Sequence, residues 1–140
     1  PDRVLEVRGN VFVESSRINS TWGGNLVDMV RCRRYLEIID EENMLPNASS
    51  MGQRLLDGLA KVAEGSSGRL SNVRGRGLMC AFDLPTTEAR GEFLYSMREN
   101  GVMALPCGQK TVRFRPPLNI SAREVDEAVS AVERAASERG

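Results

Sequence analysis

The chain has 140 residues, with 19 basic and 19 acidic side chains, so its formal net charge is zero. This balance argues against a dedicated nucleic-acid-binding protein, and no run of residues has the length and apolar character of a membrane span. Three widely spaced cysteines and the lack of histidine give neither a disulfide framework nor a metal site, a pattern typical of a reducing, cytoplasmic compartment.

The first predicted element is a polar loop, Asn19-Ser20-Thr21-Trp22-Gly23-Gly24-Asn25, which leads into a helix over about residues 25–42. A helix start presents free N–H groups, and hydroxyls and glycines beside it favour binding of an anion, most simply a phosphate. An ordinary loop with Asn25 as the N-cap explains the same residues, and spacing alone favours that interpretation. Residues 1–19 have few apolar side chains and resemble the middle of a longer chain, so we expect them to gain order only against another part of the protein or a neighbouring molecule.

The later elements are predicted from hydrophobic periodicity and turn residues. Apolar residues at steps of three and four predict further helices over residues 46–63 and 87–100 and from residue 122 onward. Alternating apolar residues predict short strands over residues 70–74, 78–84, 102–105 and 111–115. This order is that of an α+β fold, in which helices cover one face of a small, mostly antiparallel sheet.

Arg113 and Arg115 lie two residues apart on the last predicted strand, so their side chains should leave the same face of the sheet. Val112 and Phe114 should then face the core. Two guanidiniums on one face suit a carboxylate or a phosphate, because each offers a planar fork of donors. A solvated face with surface ion pairs explains the pattern equally well.

Other candidate residues have simpler interpretations. Arg74 and Arg76 flank Gly75 and offer a second pair of cations, but charged residues beside turns are usually solvated, so a structural role is favoured. The methionines at apolar positions are expected to fill the core, namely Met29, Met51, Met79 and Met97.

Four stretches together are similar to one enzyme family. They are residues 20–25 (STWGGN), 73–82 (VRGRGLMCAF), 84–87 (LPTT) and 112–118 (VRFRPPL). In this order they resemble the C-terminal part of a class III (subgroup II) aminotransferase, a pyridoxal-phosphate-dependent family, from about residue 11 to the last helix. Trp22, and Leu26 where most relatives have proline, resemble the branch that acts on L-lysine more than the ornithine or 4-aminobutyrate branches.

The resemblance implies the fold of the C-terminal domain of a fold-type I enzyme. Residues 1–42 would form a domain-junction segment with the phosphate loop and a connecting helix, and residues 43–140 the small C-terminal α+β domain. Thr21, with its neighbours Ser20 and Asn19, would bind the phosphate of pyridoxal 5'-phosphate across the interface of a homodimer. Arg113 would bind the α-carboxylate of 2-oxoglutarate or glutamate. The resemblance gives Arg115 no role.

The resemblance also implies that catalytic residues lie outside this chain. The family's cofactor-linked lysine precedes the phosphate loop, and neither Lys61 nor Lys110 has its sequence context. The intact enzyme would move the side-chain amino group of L-lysine to 2-oxoglutarate, giving a semialdehyde and glutamate, whereas this chain alone would be inactive. The alternative is a non-catalytic anion-binding or dimerisation module derived from the same domain.

Overall fold

A computed structural model describes Arg3 and residues 6–10, 13–14 and 21–137. Asn19, Ser20 and most of residues 1–19 lie outside the described residues, so the predictions made for them stay predictions. The chain divides into two compact units, Pro1–Ile38 and Ile39–Gly140. No helix in the described part of the chain is both long and apolar enough to cross a membrane.

Helix α1 spans Leu26–Glu41, within one residue of the predicted bounds at each end. The side chain of Asn25 accepts a hydrogen bond from the N–H of Val27 at 2.9 Å, which makes Asn25 its N-cap. None of the helix residues is buried. Leu26 and Val30 are 78% and 69% exposed, so an apolar face of α1 meets solvent.

In the second unit the described residues, up to residue 137, form three further helices and four strands. Its helices are α2 (Met44–Gly65), α3 (Thr87–Glu99) and α4 (Ala122–Ser137). Its strands are β1 (Ser71–Arg76), β2 (Met79–Asp83), β3 (Leu105–Cys107) and β4 (Thr111–Phe114). The sheet has the order β1-β2-β4-β3, and every neighbouring pair is antiparallel. The predicted α+β fold with a small antiparallel sheet is confirmed.

Helix caps follow local sequence signals. Thr86 accepts a hydrogen bond from the N–H of Ala89 at 3.1 Å and begins α3. Ser121 and Glu124 form a capping box at the start of α4, because the Ser121 N–H donates to Glu124 Oε2 at 2.8 Å and the Glu124 N–H donates to Ser121 Oγ at 3.3 Å. The Ser121 hydroxyl, which donates to Glu124 Oε2 at 2.6 Å, and the Ser121 N–H together hold the pKa of the Glu124 carboxyl below its ordinary value.

The core lies between one face of the sheet and the helices α2, α3 and α4. Cys80 and Phe82 of β2 and Val112 and Phe114 of β4 point into it. The ring of Phe82 meets that of Phe93 from α3 edge to face, with 5.5 Å between centroids. The helices contribute further buried side chains, namely Leu55, Leu59, Met97, Val125, Val132 and Ala135. The opposite face of the sheet, the open face, therefore carries the alternate residues of each strand.

Two sequence predictions are wrong. Residues 102–104 form no strand, because Gly101 has φ +80° and the Val102 N–H donates to Met97 O, which closes the end of α3 instead. Among the four methionines, Met97 is buried and Met51 packs against the core, but Met29 and Met79 are 59% and 54% exposed. The spacing of apolar residues placed each methionine on one face of its helix or strand, but it did not show whether that face is buried.

Candidate functional site

In the first unit, the last residue of the polar loop caps the helix α1 that follows it. Residues 21–24 form a turn closed by a hydrogen bond from the N–H of Asn25 to Trp22 O at 3.2 Å, and Gly24 has φ +76°. Because Asn25 accepts a hydrogen bond from the Val27 N–H, the prediction that Asn25 is the N-cap is confirmed. An anion site here would therefore depend on the Thr21 hydroxyl, which is exposed, more than on the helix end.

The open face of the second unit carries Arg113. Its partners across the sheet are Ala81 on β2 and Leu105 on β3. Arg113 Nε is buried, and the described residues give Arg113 neither a hydrogen-bond partner for this atom nor an ion pair. A buried guanidinium N–H without an acceptor is costly, so this atom is poised for an acceptor that the described residues do not supply.

Arg113 and Arg115 line the same cleft, which has a volume of about 570 Å³. Strand β4 ends at Phe114, one residue earlier than predicted, so Arg115 lies just outside it. The prolines that follow, Pro116 and Pro117, have no N–H to continue the ladder. Arg115 is exposed and has no hydrogen bond or ion pair with the described residues, so the structure gives it no structural partner.

Arg74 has a different environment on the same open face. Its Nη1 lies 3.1 Å from Asp83 Oδ1, and its Nη2 donates to Thr111 Oγ1 at 3.3 Å. Asp83 also accepts from the Thr111 hydroxyl at 2.6 Å and from Asn72 Nδ2 at 2.8 Å. These contacts agree with the structural role that the sequence favoured for Arg74. Arg76 is exposed, and no described residue forms a hydrogen bond or an ion pair with it.

Asp83 is a buried carboxylate that the sequence prediction missed. Burial by itself would raise the pKa of Asp83, but the hydrogen bonds from Thr111, Asn72 and Arg74 outweigh that effect and hold the pKa below its ordinary value. Asp83 is therefore charged at neutral pH. The one available sequence signal was an acid at the end of the alternating run 78–84, which should leave it on the same face as Arg74.

The cysteines and lysines of the described residues have ordinary surroundings. Cys80 is buried, and burial raises the pKa of its thiol to about 11, so it stays protonated. Cys32 and Cys107 are exposed, and the described residues contain no cluster that would hold a metal ion. Lys61 on α2 and Lys110 in the turn before β4 are both exposed.

Comparison with known proteins links this geometry to one family. The model of the class-III aminotransferase family matches residues 7–136. The chain is 49% identical over 139 residues to the L-lysine-epsilon aminotransferase of Amycolatopsis lactamdurans, and the match covers 99% of this chain and 31% of that protein. The chain belongs to the class III aminotransferase family. This family depends on pyridoxal phosphate.

Solved structures agree with this assignment. The lysine aminotransferase from M. tuberculosis, in the internal aldimine form, superposes with a TM-score of 0.83 at 50% identity, over 95% of this chain and 31% of the other. Two similar structures are variants of an M. tuberculosis protein, one with an asparagine changed to alanine and one with a threonine, two positions further on, changed to serine. This chain thus spans about a third of the length of the relatives that it matches.

Proposed function

We propose that the chain is the C-terminal part of an aminotransferase that moves the side-chain amino group of L-lysine to 2-oxoglutarate, giving a semialdehyde and glutamate. The identity of about half of all residues to L-lysine-epsilon aminotransferases carries this proposal. Trp22 and Leu26, which favoured the lysine branch, lie within the matched residues. When bound, pyridoxal 5'-phosphate carries the amino group between the two substrates and stabilises negative charge.

Thr21 would bind the phosphate of that cofactor, with Ser20 and Asn19 beside it, in the neighbouring subunit of a homodimer. Its exposed hydroxyl and the turn before α1 fit a phosphate ligand, because a hydroxyl donates to an anionic oxygen without bringing a competing charge. The Asn19–Thr21 spacing equals that of the asparagine and threonine changed in the two M. tuberculosis variants, which supports a functional role for both residues.

Arg113 would bind the α-carboxylate of the amino acceptor. Unlike Arg74, it has no side-chain hydrogen bond or ion pair with the described residues, and its Nε is buried. A bidentate pair with a carboxylate would satisfy this atom and fix the orientation of the acceptor. The contribution of this chain to the reaction would thus be binding and orientation of the substrate.

Proton transfer would belong to another part of the protein. Lys61 and Lys110, the only lysines of the chain, are exposed to solvent, whereas a lysine that is linked to the cofactor must lie within its pocket. The chain on its own would therefore not transfer an amino group. The same residues would suit a non-catalytic module, so activity of the whole protein decides between the two functions.

The test is an amino-transfer assay of the whole protein with L-lysine, ornithine and 4-aminobutyrate as donors and 2-oxoglutarate as the acceptor. We expect the highest kcat/KM with L-lysine, and glutamate as a product. The 140-residue chain, assayed in parallel, should give no turnover. A whole protein that prefers ornithine or 4-aminobutyrate would contradict the lysine assignment, and one that is inactive with all three donors would favour the non-catalytic module.

A further inference from the structure

Two arginines flank one small residue on the open face of the sheet. Ala81 on β2 lies opposite Arg74 on β1 and opposite Arg113 on β4. Neighbouring strands are roughly 4.8 Å apart, so the two arginine Cα atoms are separated by about 10 Å. Their long side chains therefore share one patch of the open face.

Asp83 is the only acidic residue in the four strands, and it lies at a similar offset from both arginines. It follows Ala81 by two residues on β2, which makes it a diagonal neighbour of Arg74 and of Arg113. Diagonal neighbours in a sheet are about 7–8 Å apart, within reach of long side chains. Either guanidinium therefore has the length to meet the Asp83 carboxylate.

In the structure, the Asp83 carboxylate forms its ion pair with Arg74. Arg74 Nη1 lies 3.1 Å from Asp83 Oδ1. The Thr111 hydroxyl and Asn72 Nδ2 also donate hydrogen bonds to the Asp83 carboxylate, at 2.6 and 2.8 Å. Arg74 Nη1 also donates to Asn72 O at 2.8 Å, which anchors the guanidinium on the β1 side of Asp83. Arg113 has no such contact with any described residue, and its Nε is buried without a partner.

We propose that Arg74 is a positioning residue: it holds Asp83 and so keeps Arg113 available for the carboxylate of the amino acceptor, an inference that rests on the function proposed above. Without the positive charge at position 74, Arg113 is the arginine that remains at a diagonal position from Asp83. A tethered carboxylate acts at high effective concentration and would compete with the free acceptor. Such competition raises the KM for the acceptor and leaves kcat at saturation nearly unchanged.

The test compares variants of the whole protein by their steady-state kinetics with 2-oxoglutarate. In Arg74→Gln the KM for 2-oxoglutarate should rise about tenfold, the size expected for competition by one charged hydrogen-bonding partner. The double variant Arg74→Gln/Asp83→Asn should return to the wild-type KM, because the competing carboxylate is gone. Arg76→Gln, on the same strand but without a partner among the described residues, is the control and should leave the KM unchanged.

Rescue by the second substitution separates this role from a purely structural one, since removal of two members of a structural network would not restore the KM. An unchanged KM in Arg74→Gln, or an equally raised KM in the double variant, would overturn the proposal. Arg74→Lys keeps the charge and should have nearly the wild-type KM; a rise as large as that of Arg74→Gln would contradict us. If Arg113→Lys leaves the reaction with 2-oxoglutarate unchanged, the proposed function itself fails, which is a distinguishable result.

Discussion

Hydrogen bonds of a single side chain, that of Asp83 on β2, link this strand to β1 and β4. Its carboxylate accepts hydrogen bonds from Asn72 and Arg74 on β1 and from Thr111 on β4. Because these contacts lower the pKa of Asp83 in the folded state, they stabilise the fold at pH values above the ordinary aspartate pKa. The stabilisation is lost as the pH falls through the lowered pKa of the folded state.

We predict that Asp83→Asn lowers the free energy of unfolding by about 1–3 kcal/mol near neutral pH, the cost of weakening hydrogen bonds to a charged group. The difference from the wild type should shrink as the pH falls below the ordinary aspartate pKa of about 4 and through the lowered pKa of Asp83 in the folded state. Urea unfolding over a pH series measures both effects. Asp126→Asn, which loses an exposed ion pair with Arg54, is the control with a smaller effect. A difference that is independent of pH would contradict the role of the Asp83 charge.

At the same scale, Thr21→Val in the whole protein should weaken binding of pyridoxal 5'-phosphate without affecting the fold. Loss of one hydrogen bond to a charged group is worth roughly 1.5–3 kcal/mol, or about a tenfold to hundredfold change in affinity. Spectroscopic titration of the cofactor into the cofactor-free protein measures this change. Thr87→Val, which changes another exposed threonine, is the control. Unchanged affinity in Thr21→Val would refute the assignment.

At the level of elements, local signals predicted the helices well. The Thr86 cap, the Ser121–Glu124 capping box and the period of apolar residues each depend on neighbours within about one turn. Strand β3 was predicted three residues too early, because the Val102 N–H belongs to the end of α3. That bond depends on the conformation of Gly101, which apolar alternation does not reveal.

Helix α2 approaches the β1–β2 hairpin closely at Gly52. A Cβ atom at this position would lie 2.2 Å from Gly77 O, a contact with backbone that no side-chain movement relieves. Gly52→Ala should therefore lower the free energy of unfolding by about 1–3 kcal/mol, the usual cost of overpacking. Thermal or urea unfolding measures the change.

Gly91→Ala is the matched control for Gly52→Ala. Gly91 lies within α3, and a Cβ there would meet nothing within 4 Å. Because alanine has a higher helix propensity than glycine, the free energy of unfolding of this variant should rise by about 0.5–1 kcal/mol. Equal effects of the two substitutions would show that helix propensity, not the contact with Gly77, determines the response at Gly52.

At the level of the whole molecule, the sequence predicted the faces of elements but not which faces are covered. The α1 residues Leu26, Met29 and Val30 lie at apolar positions of the predicted helix, and all three are exposed. Met79 was expected in the core and lies on the open face of the sheet. The alternating pattern also left the pairing of Asp83 undetermined, since Arg74 and Arg113 lie at similar offsets from it.

We predict that the 140-residue chain self-associates through the exposed apolar face of α1, because contiguous apolar surface favours association. Sedimentation velocity over a concentration series should show a rising average mass. The variant Leu26→Gln/Val30→Gln should shift association to higher concentration, whereas Met103→Gln, which changes another highly exposed apolar side chain, should not. A strictly monomeric wild-type chain at every concentration would contradict the prediction.

The central claim is that Arg113 binds the carboxylate of the amino acceptor. The most direct test is single-turnover kinetics of the whole protein, in which the absorbance of the bound cofactor reports the lysine and 2-oxoglutarate half-reactions separately. Arg113→Lys should slow the 2-oxoglutarate half-reaction by about tenfold or more, because an ammonium cannot reproduce a bidentate pair, and should affect the lysine half-reaction less. Arg115→Lys should affect neither half-reaction substantially. Equal losses in both half-reactions of Arg113→Lys, or a larger 2-oxoglutarate defect in Arg115→Lys, would contradict the account.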